Sequence, residues 1–143
     1  MDFMPMRVVL DTNVVFEGLT KQAGICGLII DAWRAGLLVG CVSNALLNEY
    51  DDVLARKLSA RRYAEIIKVL DELLDESTYF VRHYYTWRPM SADPGDEHVI
   101  DCAMNANAIL VTFNIRDFQR ASNRLGLRVM TPSEFVQLLT DIE

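Results

Sequence analysis

Short apolar runs alternate along the chain with segments in which apolar residues recur every three to four positions. The short runs are typical of buried strands, and the periodic segments are typical of amphipathic helices. Strands are predicted at residues 7–10, 37–42, 109–112 and 127–130, with a short extended piece at 79–81. Strands separated by helices predict an α/β sandwich around a mainly parallel sheet.

Residues with capping chemistry mark the ends of several predicted helices. Gly36 and Gly126 follow apolar helical patterns and predict C-terminal caps. Ser43 predicts the N-terminal cap of a helix that runs to about Lys57. Residues 131–134, Thr-Pro-Ser-Glu, combine a capping box with proline at the first helical position, so a final helix should begin there. The remaining predicted helices begin near residues 25, 63 and 96.

The length and composition fit one globular domain over residues 1–143. No apolar run approaches the roughly 20 residues of a membrane span, and the N-terminus lacks the basic and apolar regions of a signal peptide. The three cysteines are scattered without metal-ligand spacing, which favours reduced core residues. We therefore expect a cytoplasmic protein that does not associate with membranes.

The net charge of −6 restricts the possible partners. A protein that binds nucleic acid by bulk electrostatics is normally basic, because neutralising the phosphates drives that binding. This chain would need a local basic patch or a bound metal ion to hold a polyanion. The charge therefore disfavours simple DNA binding and leaves a metal-bridged nuclease possible.

Carboxylates from four separate segments are predicted to meet at one edge of the sheet. Asp11 directly follows the first strand, and Asp117 lies five residues beyond Thr112 at the end of another. Asp96 lies in the first turn of a helix, and Glu49 lies about one and a half turns into its helix. In parallel α/β folds, ligands bind beyond the carboxyl ends of the strands, which is where these residues fall.

Several carboxylates in one pocket repel one another, so protons or cations must offset their charge. Oxygen ligands suit Mg²⁺ or Mn²⁺, and such an ion can activate water. Taken singly, each acid has a structural alternative: Asp11, Asp96 and Asp117 as helix caps, and Glu49 as a solvated helix charge. The convergence of all four favours a metal site.

With these positions assigned, the chain resembles the PIN-domain nucleases, especially the bacterial VapC-like toxins of toxin–antitoxin pairs. The matching motifs are residues 8–13, 43–49, 93–98 and 111–118, and the helix start at 131–135 is also similar. The resemblance implies endoribonuclease activity with Mg²⁺ or Mn²⁺ held by Asp11, Glu49, Asp96 and a residue of the fourth motif. It also implies a three-layer α/β/α sandwich with a mainly parallel twisted sheet, frequent dimerisation, and inhibition by a small antitoxin.

The resemblance assigns hydrogen-bonding roles toward the carboxylates to Asn13 and Thr112. Two positions depart from the family pattern. Asn114 stands where many PIN domains have an acid, so the fourth ligand is Asp117, Asn114 through water, or absent. Gly95 replaces an acid often found beside the third-motif aspartate. A catalytically poor or non-catalytic RNA- or protein-binding member remains an alternative.

Basic and aromatic side chains offer further candidate contacts. The possible RNA-binding residues are Arg116 and Arg120 beside the fourth motif, and Arg56, Lys57, Arg61 and Arg62 at a helix junction. A solvated junction is the alternative for the second group. For the aromatic loop of Tyr84, Tyr85, Trp87 and Arg88, core or interface packing is favoured over base stacking. His98 is interpreted as a local hydrogen-bonding residue rather than a ligand, and Asp101 as a solvated or hydrogen-bonded residue of the same helix.

A second enzyme class uses some of the same residues. In a haloacid-dehalogenase-like phosphatase, Asp11 would accept the phosphoryl group, and Asp96 with Asp101 would hold Mg²⁺. Against this, Asn13 replaces the second acid of the opening motif, and Glu49 and the fourth motif would have no role. The nuclease hypothesis uses all four motifs.

Overall fold

A computed structural model describes residues 5–142, and the ends of the predicted 1–143 domain lie outside that range. The strands are β1 (Met6–Leu10), β2 (Leu38–Val42), β3 (Thr78–Phe80), β4 (Ile109–Val111) and β5 (Val129–Met130). The helices are α1 (Thr12–Thr20), α2 (Ile25–Arg34), α3 (Asn44–Lys57), α4 (Ala60–Glu76), α5 (Glu97–Ala106), α6 (Gln119–Leu125) and α7 (Pro132–Ile142). Two 3-10 turns, Pro94–Asp96 and Ile115–Phe118, precede α5 and α6.

All strand pairs are parallel, in the order β3-β2-β1-β4-β5. The chain moves outward from β1 through β2 to β3, and then returns to add β4 and β5 on the other side of β1. Because parallel crossovers are almost always right-handed, this reversal places α1–α4 and α5–α6 on opposite faces of the sheet. The predicted α/β architecture with a parallel sheet is therefore confirmed.

The central strand β1 is covered on both faces, as parallel sheets normally are. Val8 and Val9 are fully buried in the core that the strands and helices share. On β2, a Cβ atom at Gly40 would lie 2.4 Å from the Trp33 ring, so only glycine lets α2 approach the strand this closely. The Trp33 indole Nε1 also donates to the Ser77 carbonyl at 3.0 Å, which ties α2 to the residue before β3.

The predicted caps are confirmed by their geometry. Gly36 has φ +77°, and the residues around it make the two backbone hydrogen bonds of a Schellman motif after α2. Gly126 ends α6 with φ +73°. At the start of α7, Thr131 and Glu134 bond to each other's backbone N–H groups at 2.9 and 3.1 Å, as a capping box requires.

Helix α1 was not predicted from the sequence. Its β-branched residues weaken the helical pattern, and its packing depends on Gly18. A Cβ atom at Gly18 would lie 2.7 Å from the Cys26 carbonyl oxygen of α2. None of the helices in residues 5–142 is both long enough and apolar enough to cross a membrane.

Candidate active site

Asp11 lies where β1 meets α1, beside the end of β4. Its Oδ1 accepts a hydrogen bond from the Thr12 backbone N–H at 3.0 Å, and its Oδ2 accepts from the Thr112 hydroxyl at 2.7 Å. Thr112 is fully buried, and the Asp11 N–H donates to the Val111 carbonyl at 3.0 Å. Both oxygens of Asp11 are therefore held at the point between β1 and β4 where the strand order reverses, which is where α/β folds bind ligands.

Glu49 is fixed to the same end of the sheet. The Thr12 hydroxyl donates to Glu49 Oε2 at 2.6 Å, and His98 Nε2 lies 3.5 Å from that oxygen. The next residue, Tyr50, is buried and its hydroxyl donates to the Leu10 carbonyl at the end of β1. Helix α3 is thus fixed to the end of β1. Thr12 links Glu49 to Asp11, because its hydroxyl donates to Glu49 and its backbone N–H donates to Asp11.

Asp96 and Asp117 are placed differently. Each belongs to one of the short 3-10 turns and is half-buried. Within residues 5–142, neither carboxylate accepts a hydrogen bond, although Asp96 occupies the N-cap position of α5. Their positions are therefore set by the backbone that carries them.

The carboxylates influence one another electrostatically. Burial raises the pKa of Asp11, while the hydrogen bonds from Thr112 and Thr12 oppose that rise. The pKa of Asp96 is raised to about 6, first by burial and then by the negative charges of Asp11, Asp93, Asp117 and Glu49. The pKa of Glu49 is lowered, chiefly by its hydrogen bond with His98. The site therefore carries more negative charge than its surroundings stabilise.

These residues fit a hard divalent cation through the chemistry of their donors. Among residues 5–142, no three acidic, histidine or cysteine side chains are close enough to form a ready-made metal site. The donors are carboxylate oxygens, which suit Mg²⁺ or Mn²⁺. A cation would also relieve the repulsion that adds to the effect of burial on the pKa of Asp96.

Two predicted supporting residues do not take the expected place. Asn13 is exposed in the first turn of α1, and its side chain bonds to no carboxylate in the described residues; its neighbour Thr12 does so instead. Asn114 is also exposed, and it contacts the cluster through its backbone N–H, which donates to the Thr112 hydroxyl at 3.0 Å. The helix geometry of α1 buries Thr12 rather than Asn13, a distinction that the motif alone does not reveal.

The predicted basic residues fall into two groups. Arg116 and Arg120 are exposed beside Asp117, and neither forms an ion pair within the described range. At the α3–α4 junction, Arg56 and Arg61 pair with acids one turn away, Arg62 donates to the Thr20 carbonyl at 2.9 Å, and Lys57 lies over the Phe16 ring. The junction residues thus already contact other protein groups, whereas Arg116 and Arg120 lie next to Asp117 without an ion pair in the described range.

The aromatic loop also differs from expectation. Tyr84 and Tyr85 are 74% and 70% exposed, so core packing is wrong for both, and interface packing stays a prediction. For Asp101, the hydrogen-bonded alternative is confirmed: the side chain is fully buried and pairs with Arg88 at 3.0 Å. That pairing removes Asp101 from any role beside Asp11, which counts against the phosphatase alternative.

Sequence reasoning missed two residues that contact this region. Thr12 joins Asp11 to Glu49, and its only signal was its place next to Asp11. Glu97 is buried at 5% exposure and accepts from two backbone N–H groups of the preceding loop. Nothing in the local pattern separates Glu97 from an ordinary acid in the first turn of a helix.

The geometry can be compared with known proteins. Residues 7–116 match the PIN domain family. An uncharacterised protein of Methanocaldococcus jannaschii is 29% identical over 149 aligned positions, which cover 96% of this chain and 94% of that protein.

Three solved structures share the fold. VapBC2 of Rickettsia felis, bound to a DNA fragment from its promoter, gives a TM-score of 0.64 at 17% identity, covering 88% of this chain and 98% of that one. FitAcB of Neisseria gonorrhoeae gives 0.61 at 16% identity, with 87% and 97% covered. VapBC-1 of nontypeable Haemophilus influenzae gives 0.56 at 20% identity, with 90% and 99% covered. The family match spans most of the chain, including Asp11, Glu49 and Asp96, and the chain therefore belongs to the PIN domain family.

Proposed function

We propose that this protein is a metal-dependent endoribonuclease and the toxin of a toxin–antitoxin pair. We also propose that residues 1–143 form one PIN-like domain. The observation that carries the proposal is the group of four carboxylates at the carboxyl edge of a PIN-domain sheet. Burial, and then the negative charges of the neighbouring carboxylates, raise the pKa of Asp96 to about 6. A strongly shifted pKa in a charge cluster of this kind is typical of functional sites.

The proposed ligands of Mg²⁺ or Mn²⁺ are Asp11, Glu49, Asp96 and Asp117. When bound, such an ion activates water and stabilises charge on the leaving oxygen of a phosphodiester. Thr112 and Thr12 hold the Asp11 and Glu49 carboxylates in place, so these two ligands need little reorganisation. Asp117 is proposed as the fourth ligand in preference to Asn114, because the Asn114 side chain is exposed while Asp117 contributes to the raised pKa of Asp96.

The proposed substrate is RNA, as the resemblance to VapC-like toxins implies. The net charge of the chain is −6, so phosphate contacts must be local. Arg116 and Arg120 are the proposed contacts because they are exposed beside Asp117. The junction residues Arg56, Lys57, Arg61 and Arg62 are secondary candidates, since each already contacts a protein group.

The direct test compares wild-type protein with the Asp11→Asn, Asp96→Asn double variant on labelled single-stranded RNA. An Asp31→Asn, Asp75→Asn double variant is the matched control, because both of these aspartates are exposed on helices α2 and α4. All three proteins are purified in parallel, which controls for contaminating ribonuclease. We expect Mn²⁺-dependent cleavage by wild type and control and none by the active-site variant.

Other outcomes would favour other functions. Equal cleavage by all three proteins would contradict the proposed site. RNA binding without cleavage by any of them would favour a non-catalytic PIN module. Turnover of phosphate monoesters in the same preparations would favour the phosphatase, and cleavage of single-stranded DNA in preference to RNA would change the substrate class.

The proposed partners are a small antitoxin and a second copy of the chain, and the proposed location is the cytoplasm. The antitoxin proposal is supported by the fold shared with the VapBC and FitAcB proteins. Its first test is whether a small antitoxin-like reading frame lies beside this gene. Co-purification of that product with the chain would support the toxin role, and a mass measurement in solution would test the dimer.

A further inference from the structure

Three polar residues lie four positions apart on α5 and hold the loop that precedes it. Asn105 Oδ1 accepts from the backbone N–H groups of Tyr84 and Tyr85, both at 3.2 Å. Asp101 pairs with Arg88 at 3.0 Å. Glu97 binds the end of the loop that is nearest to the carboxylates. The loop is thus fastened to the helix along about two turns, or about 12 Å.

Glu97 makes the contacts closest to the proposed metal site. Its Oε1 accepts from the backbone N–H groups of Met90 at 2.7 Å and Ser91 at 2.9 Å. The side chain is 5% exposed, and its second oxygen has no hydrogen-bond partner among the described residues. Burying a carboxylate in this way is costly unless its remaining hydrogen bonds are strong, which short bonds to two amides provide.

Ser91 connects this anchor to both unsupported acids. Its hydroxyl donates to the Asp117 carbonyl at 3.2 Å and accepts from the Asp93 N–H at 3.2 Å. Asp93 in turn accepts from the Asp96 N–H through its carbonyl at 3.0 Å. A continuous series of hydrogen bonds therefore runs from Glu97 to the backbone of Asp96 and Asp117.

We propose that Glu97 is a positioning residue that sets the spacing of Asp96 and Asp117 through Ser91. The inference rests on the proposed metal-dependent function of the carboxylate cluster. Ser91 can set this spacing because the carboxylates of Asp96 and Asp117 accept no hydrogen bonds in the described residues. The positions of the two carboxylates therefore depend on the backbone that Ser91 holds. The role assigned to Glu97 is to hold the loop, because its Oε1 accepts from two loop amides.

The test measures Mn²⁺ affinity by the electron paramagnetic resonance signal of the free ion, without any turnover. Glu97→Ala should weaken Mn²⁺ binding by about 10-fold or more, the range seen when groups that orient metal ligands are removed. Glu97→Gln should remain within about threefold of wild type, because its carbonyl oxygen can still accept from both amides. Asn105→Ala is the matched control: it releases the same loop at the distant end and should leave Mn²⁺ affinity unchanged.

Ser91→Ala provides a second route if Glu97→Ala does not fold. This variant removes only the hydroxyl that joins the loop to Asp117, and we expect Mn²⁺ binding to weaken several-fold. The inference is overturned if Glu97→Ala or Ser91→Ala binds Mn²⁺ as wild type does. It is also overturned if Asn105→Ala loses as much affinity as Glu97→Ala, since loosening of the whole loop would then be the cause. Failure of the wild-type protein to bind Mn²⁺ would instead overturn the proposed function together with this inference.

Discussion

The two halves of the carboxylate cluster are built in different ways. Asp11 and Glu49 accept hydrogen bonds from Thr112 and Thr12, and both stand on elements fixed to the central strands. Asp96 and Asp117 stand on short 3-10 turns, and their side chains have no hydrogen-bond partner in residues 5–142. We refer to these as the held half, Asp11 and Glu49, and the open half, Asp96 and Asp117.

The difference between the two halves shows how the protein holds carboxylates that repel one another in one region. The held half is stabilised by hydroxyl donors, and His98 lowers the pKa of Glu49. In the open half, the pKa of Asp96 is raised to about 6. A divalent cation would therefore change the open half most, because it supplies the positive charge that the protein does not.

The largest expected effect comes from removing the support of the held half. Thr112→Val keeps the shape of the buried side chain but removes the hydroxyl that donates to Asp11. We expect the Mn²⁺ affinity and the RNA cleavage rate to fall about 10- to 100-fold. Thr140→Val, at an exposed position of α7, is the control, and it should change neither quantity. If Thr112→Val binds Mn²⁺ as wild type does, the distinction between the two halves has no functional meaning.

A smaller effect is expected on the pH dependence of stability in the metal-free protein. The pKa of Asp96 in the folded state is about 6, above its ordinary value of 3.8. The folded state therefore binds more protons than the unfolded state between about pH 4 and pH 6, and stability falls as the pH rises through that window. Asp96→Asn removes this fall in stability, because asparagine does not ionise.

We expect Asp96→Asn to be more stable than wild type by about 1 kcal/mol at pH 7, a value reduced for solvent screening of a half-buried group. The difference should vanish below about pH 4, and thermal unfolding at a series of pH values measures it. Adding Mn²⁺ should raise the melting temperature of wild type only. A stability difference that does not change with pH would contradict this description of the open half.

The smallest expected effect concerns the two arginines beside the open half. Arg116→Ala, Arg120→Ala should weaken RNA binding a few-fold at low salt and reduce its salt dependence by about two phosphate contacts. The matched variant is Arg56→Ala, Arg61→Ala, which removes the same charge from the α3–α4 junction. Equal losses in the two variants would mean that the RNA contacts are spread over the surface rather than placed beside Asp117.

The sequence predicted most of the strands and helix caps correctly, but it predicted few of the hydrogen-bond partners of the site residues. Strand β1, the caps at Gly36 and Gly126 and the capping box at residues 131–134 are local features, and each lies where its pattern placed it. The prediction that the carboxylates converge also came from local features, because strand ends in a parallel sheet share an edge.

The remaining features depend on contacts between distant segments. Asn13 and Thr12 are both polar in the sequence, and only the packing of α1 against α3 decides that Thr12 faces Glu49. Helix α1 itself depends on the close approach of Gly18 to α2. Glu97 looks like an ordinary first-turn acid until the loop from residue 84 to 91 folds back along α5. A motif shows which residue types are present, but only the tertiary structure determines which groups they bond to.

The proposed metal site requires that the held half and the open half bind the same ion, and Mn²⁺ affinity tests this most directly. Mn²⁺ affinity should be measured for wild type, Asp11→Asn, Asp96→Asn and the double variant, with Asp75→Asn as the control. If the halves share an ion, each single variant loses most of the affinity, and the double variant loses little more than either one. If Asp96→Asn binds Mn²⁺ as tightly as wild type, the two halves are not one site, and the proposed metal-dependent mechanism is contradicted.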